Sequence, residues 1–205
     1  GRAIPLRRDK RDPTVFEYLG WCSWDTLQIR VSERGLVEKC EELKKKDIPI
    51  KWAIIDDMWA EVSEFPGKYR TRKDMFALMH SSHLYDYEAA KDRFPMGLSH
   101  AIEKMHSYGM KVGIWHPTTG YWRGLDPNGK AYEKLKNFTY TTPDGMIIGN
   151  WREGASFRYY DAIHSFLREC GADFVKVDNQ SMTRRFYKGL DSVGKVTRSW
   201  HRGLE

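Results

Sequence analysis

The sequence predicts an α/β fold in which strands and helices alternate along the chain. Short apolar segments recur between amphipathic helical patterns, in the order β-α-β-α-β-α-β. The connections after the strands are long, whereas those after the helices are short. Charged or aromatic side chains also stand at the end of every recognisable strand. This combination is typical of a (β/α)8 barrel, or TIM barrel, because the loops at its C-terminal face build the active site.

Each element is predicted from its local pattern. In the helices, apolar residues recur at helical spacing, and Pro49, Gly109 and Gly171 follow the last turns. The strands are short apolar runs bounded by polar residues. Two stretches, 60–97 and 118–153, show no clear period and are interpreted as long connections. The predicted ranges are a strand over 16–24, a helix from Ser32, a strand over 51–55, a helix over 99–108, a strand over 110–114, a helix over 155–170, a strand over 172–180 and a weak helical pattern over 181–205.

Only four strands are recognisable, whereas a complete barrel has eight. We therefore expect residues 16–205 to form the first four βα units of a (β/α)8 barrel, with 1–15 as an approach segment from an upstream region. Half a barrel would expose the apolar face of its sheet and two open edges. More chain beyond Glu205, or another polypeptide, is expected to supply the rest. A doubly wound sheet is the alternative, but no glycine-rich phosphate-binding turn follows the first strand.

The composition argues against several classes of protein. The net charge is +6, but no basic stripe is interleaved with aromatic residues, so no nucleic-acid partner is predicted. No apolar run reaches the length of a membrane span, so no membrane partner is predicted either. The three cysteines fit neither a disulfide framework nor a zinc site. The pair His80 and His83 lacks a third ligand, and neither a metal nor another cofactor is predicted.

The strand ends carry the residues that indicate chemistry. Strand periodicity places Lys176 and Asp178 on the same side of their strand. Each group has an ordinary structural explanation when taken singly, such as packing, capping or a simple ion pair. Together on one barrel face they suit a sugar, because carboxylates accept hydroxyl hydrogen bonds and indoles cover the apolar face of the ring. The other strand-end groups are Trp24, Asp56, Asp57 and Trp115, with Trp59 and His116 beside them.

Four motifs follow one another in order along this part of the chain. They are Leu19–Asp25 (LGWCSWD), Ile54–Trp59 (IIDDMW), Trp115-His116 with Gly120–Trp122 (GYW), and Val175–Gln180 (VKVDNQ). Together they resemble glycoside hydrolase family 36, in particular its raffinose synthase and seed-imbibition-protein branch. The resemblance covers about residues 16–182 and keeps both the order and the spacing of the motifs.

The resemblance implies a retaining α-galactosidase-type site in a (β/α)8 barrel, acting on α-galactosides or oligosaccharides. Asp178 would be the nucleophile that forms a covalent galactosyl-enzyme. Lys176 would bind sugar hydroxyls, and its positive charge would keep Asp178 ionised. The remaining half of the barrel and flanking β domains of the same protein are implied as partners of this segment.

The resemblance also implies the residues that hold the sugar. Asp56 and Asp57 would bind the galactose hydroxyls around O4 and O6, while Trp24 and Trp115 would form aromatic walls. The sequence departs from the pattern of the branch at Met58, where glycine is usual, and at Ala60, where glutamine is frequent.

Retention of configuration requires a second carboxyl group about 5–5.5 Å from the nucleophile. The resemblance implies that this acid/base residue follows a later strand, beyond Glu205, so the segment alone is predicted not to turn over substrate. Three alternatives remain open. They are a galactosyltransferase that makes raffinose-type oligosaccharides, a non-catalytic carbohydrate-binding member, and an unrelated barrel enzyme that acts on acidic substrates.

Overall fold

A computed structural model describes residues 7–9, 11, 13–63, 71–152 and 154–205, and part of the predicted approach segment (1–6, 10 and 12) lies outside them. The strands are β1 (Gly20–Cys22), β2 (Trp52–Ile55), β3 (Ala60–Ser63), β4 (His83–Ala89), β5 (Lys111–Pro117), β6 (Thr139–Thr141), β7 (Ile147–Gly149) and β8 (Phe174–Asp178). The α-helices are α1 (Ser23–Leu27), α2 (Glu33–Lys45), α3 (Arg72–Ser81), α4 (Gly97–Ser107), α5 (Lys130–Leu135), α6 (Ala155–Glu169), α7 (Thr183–Phe186) and α8 (Val193–Leu204). Short 3-10 helices cover Arg7–Asp9, Thr14–Glu17, Gln28–Arg30, Lys136–Phe138 and Gln180–Met182.

The centre of the fold is a four-stranded sheet with the order β1-β2-β5-β8. All three neighbouring pairs are parallel, so the C-terminal ends of the strands lie along one edge of the sheet. The α/β class and the parallel sheet are thus as predicted. Within the described ranges the sheet stays open, with β1 and β8 at its edges, and no closed barrel forms.

The two stretches without a clear period contain regular structure. In the first, β3 and β4 form an antiparallel ribbon, and α3 lies between them in the chain. In the second, β6 and β7 form another antiparallel ribbon. Leu125 links the two ribbons through single bridges to Leu84 and Ile147. The long connections therefore contain ordered secondary structure, as connections of this length often do.

The two faces of the central sheet differ in burial. On one face, the central strands β2 and β5 are fully buried and contribute Ala53, Ile55, Val112 and Ile114 to the hydrophobic core, which also includes residues of α2 and α4. The residues of the edge strands β1 and β8 are half-buried. The opposite face, which carries Trp52, Ile54 and Phe174, is only half-buried.

Glycines on the half-buried face make room for aromatic rings. A Cβ added at Gly20 would lie 2.0 Å from the Trp52 ring, and one at Gly113 would lie 2.2 Å from the Phe174 ring. The rings of Trp52 and Phe174 in turn meet edge to face, with centroids 6.0 Å apart. Glycine at both positions is therefore a packing requirement of this face.

The first strand is the main correction to the predicted elements. The strand predicted over 16–24 is limited to Gly20–Cys22, since a 3-10 turn precedes it and α1 begins at Ser23. The hydroxyl of Ser23 accepts a hydrogen bond from the backbone N–H of Asp56 at 2.9 Å, which ties the start of α1 to the end of β2. The local apolar pattern could not reveal this long-range contact.

The predicted helices agree closely with the structure. Ser32 caps α2 by accepting a hydrogen bond from the N–H of Gly35 at 3.2 Å, as expected of a serine at this position. The weak pattern over 181–205 contains α8, which Ser192 caps and which buries Val196 and Trp200. No helix in the described residues is both long enough and apolar enough to span a membrane.

Candidate active site

The ends of the four parallel strands surround a cleft of about 220 Å³. All six residues predicted for the site contribute to its lining, although they come from distant parts of the sequence. They are Trp24, Asp56, Asp57, Trp115, Lys176 and Asp178. The residues that the sequence analysis did not assign to the site, but that also line it, are Phe76, Met79, His80 and Trp122.

Asp56 lies at the end of β2 and is almost fully buried. Its Oδ2 accepts hydrogen bonds from Lys176 Nζ at 2.6 Å and from Cys22 Sγ at 3.1 Å. Burial alone would lower the pKa of Lys176, but the hydrogen bond and negative charge of Asp56 raise it above its usual value. Lys176 is therefore a firmly protonated cation in the floor of the cleft, fixed between two strands.

Asp57 is buried beside it and accepts three hydrogen bonds. The donors are the hydroxyl of Tyr121, Trp122 Nε1 at 2.8 Å and the N–H of Met58 at 2.6 Å. Burial raises the pKa of Asp57 to about 7, although these donors oppose the rise by favouring the ionised form. Asp57 thus titrates near neutral pH and links the cleft to the loop after β5.

Asp178 is the last residue of β8 and is partly exposed to the cleft. Its Oδ2 accepts a hydrogen bond from Trp115 Nε1 at 3.0 Å, and its Oδ1 accepts one from the N–H of Asn179 at 2.6 Å. Asn179 adopts a positive φ of 61°, which turns the chain sharply after the strand. The carboxylate is therefore held by one donor on each oxygen, in a fixed orientation at the edge of the sheet.

The two tryptophans predicted for the site have different environments. Trp24 lies in α1 and is half-buried, with its ring 6.2 Å from that of Phe76. Trp115 is almost fully buried, and its ring packs against those of Tyr121 and Trp122. Trp24 thus offers ring surface to the cleft, whereas the evident contribution of Trp115 is its hydrogen bond to Asp178.

The unassigned lining residues had signals in the sequence. Trp122 belongs to one of the four motifs, but its contact with Asp57 depends on a fold that joins positions 65 residues apart. Phe76, Met79 and His80 lie on α3, in a stretch interpreted as irregular. Thr71 and Asp74 form a capping box there, with hydrogen bonds of 3.0 and 3.1 Å, which is a recognisable helix start.

The other residues noted at the strand ends lie away from the cleft. Trp59 is buried and donates from Nε1 to the carbonyl of Trp115 at 2.7 Å. His116 is buried with its Nε2 2.9 Å from Nε2 of His164, and burial lowers its pKa to about 3. His83 lies in β4, and no group of three or more His, Cys, Asp or Glu in the described ranges is arranged to hold a metal ion.

The fold is of the α/β class and is similar to the folds of solved α-galactosidases. An α-galactosidase of glycoside hydrolase family 36 from Geobacillus stearothermophilus, solved in complex with raffinose, is similar with a TM-score of 0.59 and 14% identity. This likeness covers 91% of the present chain and 25% of that chain. An α-galactosidase from Thermus thermophilus is similar with a TM-score of 0.58 and 17% identity over 91% of this chain and 35% of that chain. At these identities the likeness concerns the fold.

The family is defined more closely by sequence. The chain belongs to the family described as raffinose synthase or seed imbibition protein Sip1, which matches residues 2–205. A probable galactinol–sucrose galactosyltransferase of Arabidopsis thaliana is 26% identical over 97% of this chain and 29% of its own length. An α-galactosidase of Saccharomyces mikatae is 24% identical over 89% of this chain and 37% of its own length. The chain thus spans roughly a third of these relatives.

Proposed function

We propose that this chain is the first half of the (β/α)8 catalytic barrel of a retaining enzyme that acts on α-galactosides. The strand order β1-β2-β5-β8 supports the proposal, because each successive parallel strand is added on the same side, as in a barrel. The half-buried sheet face and the two open edges suit a surface that further strands complete. Residues 16–205 would form this half, preceded by an approach segment over 1–15.

The observation that carries the proposed chemistry is the arrangement of Lys176 and Asp178 at the end of β8. Both side chains line the cleft, and donors from Trp115 and Asn179 fix the carboxylate of Asp178. An oxygen of Asp178 would attack the anomeric carbon and form an ester bond while the glycosidic C–O bond breaks. The departing oxygen would take a proton from a second carboxylic acid. Lys176 would stabilise the ionised nucleophile before the attack.

The acidic pair would bind the galactosyl group. A carboxylate offers about four acceptor positions. Asp57 receives three hydrogen bonds from the protein and so retains one position for a sugar hydroxyl. Lys176 donates one hydrogen bond to Asp56 and retains two N–H groups. Trp24 would stack on the apolar face of the ring.

The second carboxyl group is proposed to lie outside residues 1–205, after a later strand of the barrel. In the second step it would take a proton from the attacking hydroxyl group as the ester bond to Asp178 breaks. The 205-residue segment would therefore bind part of the sugar but not turn it over alone.

Transfer is the second candidate, and it is favoured by one observation. The chain belongs to the raffinose synthase family, and its Arabidopsis relative is named as a galactosyltransferase. Transfer and hydrolysis would share the galactosyl-enzyme on Asp178. They differ in whether a sugar hydroxyl or water then attacks the anomeric carbon.

Replacement of the nucleophile in the full-length protein tests the proposal. Asp178→Asn is expected to lower kcat on an aryl α-galactoside by at least about a thousandfold, by analogy with the loss of other covalent nucleophiles. Glu38→Gln is the matched control, since Glu38 is an exposed carboxylate on α2 that pairs only with Arg34 among the described residues. Near-normal turnover by Asp178→Asn would contradict the proposal.

Product analysis separates the remaining alternatives. With an α-galactoside and sucrose present, the wild-type protein should give either free galactose or an oligosaccharide. Galactoside binding without turnover by the wild-type protein would instead support the non-catalytic member of the family and overturn the proposed mechanism.

A further inference from the structure

The first of the four motifs contains a thiol to which the proposed mechanism gives no role. Cys22 is the last residue of β1, in register with Ile54 of the neighbouring strand β2. Its side chain is half-buried and does not line the cleft. Its Sγ nevertheless donates a hydrogen bond to Oδ2 of Asp56 at 3.1 Å. Any influence of this thiol on a bound sugar must therefore pass through Asp56.

The carboxylate of Asp56 is held on both of its oxygens. Oδ1 accepts a hydrogen bond from the backbone N–H of Asp57 at 2.9 Å. Oδ2 accepts one from Lys176 Nζ at 2.6 Å as well as the one from Cys22. The backbone N–H of Asp56 in turn donates to the hydroxyl of Ser23 at 2.9 Å. Two successive residues, where β1 ends and α1 begins, thus hold Asp56 by its carboxylate and by its backbone.

The two side chains that donate to Asp56 differ in rigidity. Lys176 reaches Oδ2 through a flexible four-carbon stem, and its side chain is 38% exposed. The sulfur of Cys22 is bonded directly to Cβ of a strand residue, so a single side-chain torsion angle moves it. Cys22 therefore fixes the position of Oδ2 more tightly than the lysine does. The position of Oδ2 then determines where Nζ of Lys176 rests, because these two atoms are hydrogen-bonded.

The thiol keeps its proton and so remains a hydrogen-bond donor. Burial, with a further contribution from the negative charge of Asp56, raises the pKa of Cys22 to about 11. A thiol that stays protonated near neutral pH is a poor nucleophile and a poor metal ligand, because both roles need the thiolate. The cysteine also forms no disulfide with another described residue. Donation to Asp56 is thus the chemistry that its surroundings favour.

We propose that Cys22 is a positioning residue, whose thiol orients Asp56, and through it Lys176, for binding the hydroxyl groups of the galactosyl unit. This inference rests on the proposed function, since it takes Asp56 and Lys176 to bind the sugar. The role requires a donor at position 22. It is therefore distinct from a packing role, for which any small apolar side chain would serve.

A second cysteine has the environment of a packing role. Cys40 lies on α2 and is fully buried in the core, with its Sγ 3.8 Å from Sδ of Met110. It does not line the cleft. A serine at this position would bury a hydroxyl group among apolar side chains, whereas an alanine would not. Comparison of alanine and serine at the two positions therefore separates a thiol that must donate from one that only fills space.

The test uses the full-length protein and an aryl α-galactoside. Cys22→Ala removes the donor, so kcat/KM should fall by about tenfold, as expected for loss of a weak donor to a charged group. The loss should lie mainly in KM, because the sugar hydroxyls are held in the ground state as well as in the transition state. Cys22→Ser keeps a donor and should recover most of the loss. Cys22→Val supplies a second variant without a donor if Cys22→Ala does not fold.

Cys40→Ala and Cys40→Ser are the matched controls, and both should leave KM unchanged. If Cys22→Ala kept the wild-type kcat/KM, or equalled Cys22→Ser, the thiol would only fill space. That result would overturn the inference and leave the proposed function intact. An equal rise of KM in the Cys40 variants would also overturn it. Absence of turnover by the wild-type protein on every α-galactoside would instead count against the proposed function, and against this inference with it.

Discussion

The carboxylates of the cleft differ in the hydrogen bonds that they accept, and these hydrogen bonds influence their ionisation. Asp178 accepts one hydrogen bond on each oxygen, whereas Asp57 accepts three and is buried. Burial raises the pKa of Asp57 to about 7. Because the pKa is raised in the folded state, the native protein binds more protons than the unfolded chain between the ordinary carboxyl range and about pH 7. The contribution of Asp57 to the free energy of unfolding is therefore present at acidic pH and lost as the pH rises through about 7.

The hydroxyl of Tyr121 provides a test of this ionisation. It donates to Asp57 but does not line the cleft, so Tyr121→Phe removes a donor without changing the surface that meets the sugar. A hydrogen bond to a charged group contributes about 1.5–3 kcal/mol, and one pH unit corresponds to about 1.4 kcal/mol. Loss of this donor should raise the pKa of Asp57. The acidic limb of the pH profile of kcat/KM in the full-length protein should therefore move to higher pH by about one to two units.

Tyr108→Phe is the matched control, since its hydroxyl donates to Glu41 on the surface at 3.2 Å. This variant should leave the acidic limb in place. An unmoved limb in Tyr121→Phe would show that ionised Asp57 does not determine the pH dependence.

Met58 carries a local strain next to the same carboxylates. It has a φ of 73°, in the left-handed region that favours glycine, and its side chain is fully buried. This is the position at which the resembling branch usually has glycine. The left-handed conformation costs a residue with a Cβ roughly 1–2 kcal/mol.

Two truncations of Met58 isolate this strain. Both Met58→Ala and Met58→Gly remove the buried side chain, but only glycine relieves the backbone. Met58→Gly should therefore be more stable than Met58→Ala by about 1 kcal/mol in chemical denaturation of the full-length protein. At Met105, which is buried within α4, the alanine variant should instead be more stable than the glycine variant. The reason is that the helix propensity of alanine is more favourable than that of glycine by about 1 kcal/mol. If Met58→Ala were more stable than Met58→Gly, the backbone at position 58 would not be strained.

At the scale of elements, the sequence was most informative where periodicity was strong. The helices α2, α4 and α6 and the strand β8 agree with their patterns because burial on one face imposes a period on their own sequence. The first strand was predicted too long, since the start of α1 depends on a contact between Ser23 and Asp56. Such a long-range contact leaves no periodic pattern in the neighbouring sequence.

The helix α3 shows a second reason for a missed element. Its residues serve two surfaces, because Met75 is buried in the core, Phe76 and His80 line the cleft, and the buried Met79 borders both. The apolar residues of α3 therefore do not form a single stripe along the helix, and the sequence pattern of this stretch looked irregular. The capping box of Thr71 and Asp74 was the available signal.

At the scale of the whole molecule, the clustering of the six predicted residues around one cleft could be predicted, because parallel strands bring their C-terminal ends to one edge. The sequence alone could therefore place Trp24, Asp56 and Asp178 near each other. It could not give the hydrogen bonds that orient them, such as that from Trp115 to Asp178, because these depend on side-chain packing between strands. Within the described residues the sheet is open, and the completion of a barrel by further chain stays a prediction. The chain spans 29% of the length of its Arabidopsis relative.

The most direct measurement is to trap the covalent intermediate on the full-length protein. A 2-fluoro-galactosyl donor with a good leaving group should form a stable ester, which peptide mass spectrometry can locate. The proposed mechanism predicts one galactosyl label, on Asp178. A label on another carboxylate, or normal turnover of α-galactosides without any label, would contradict it.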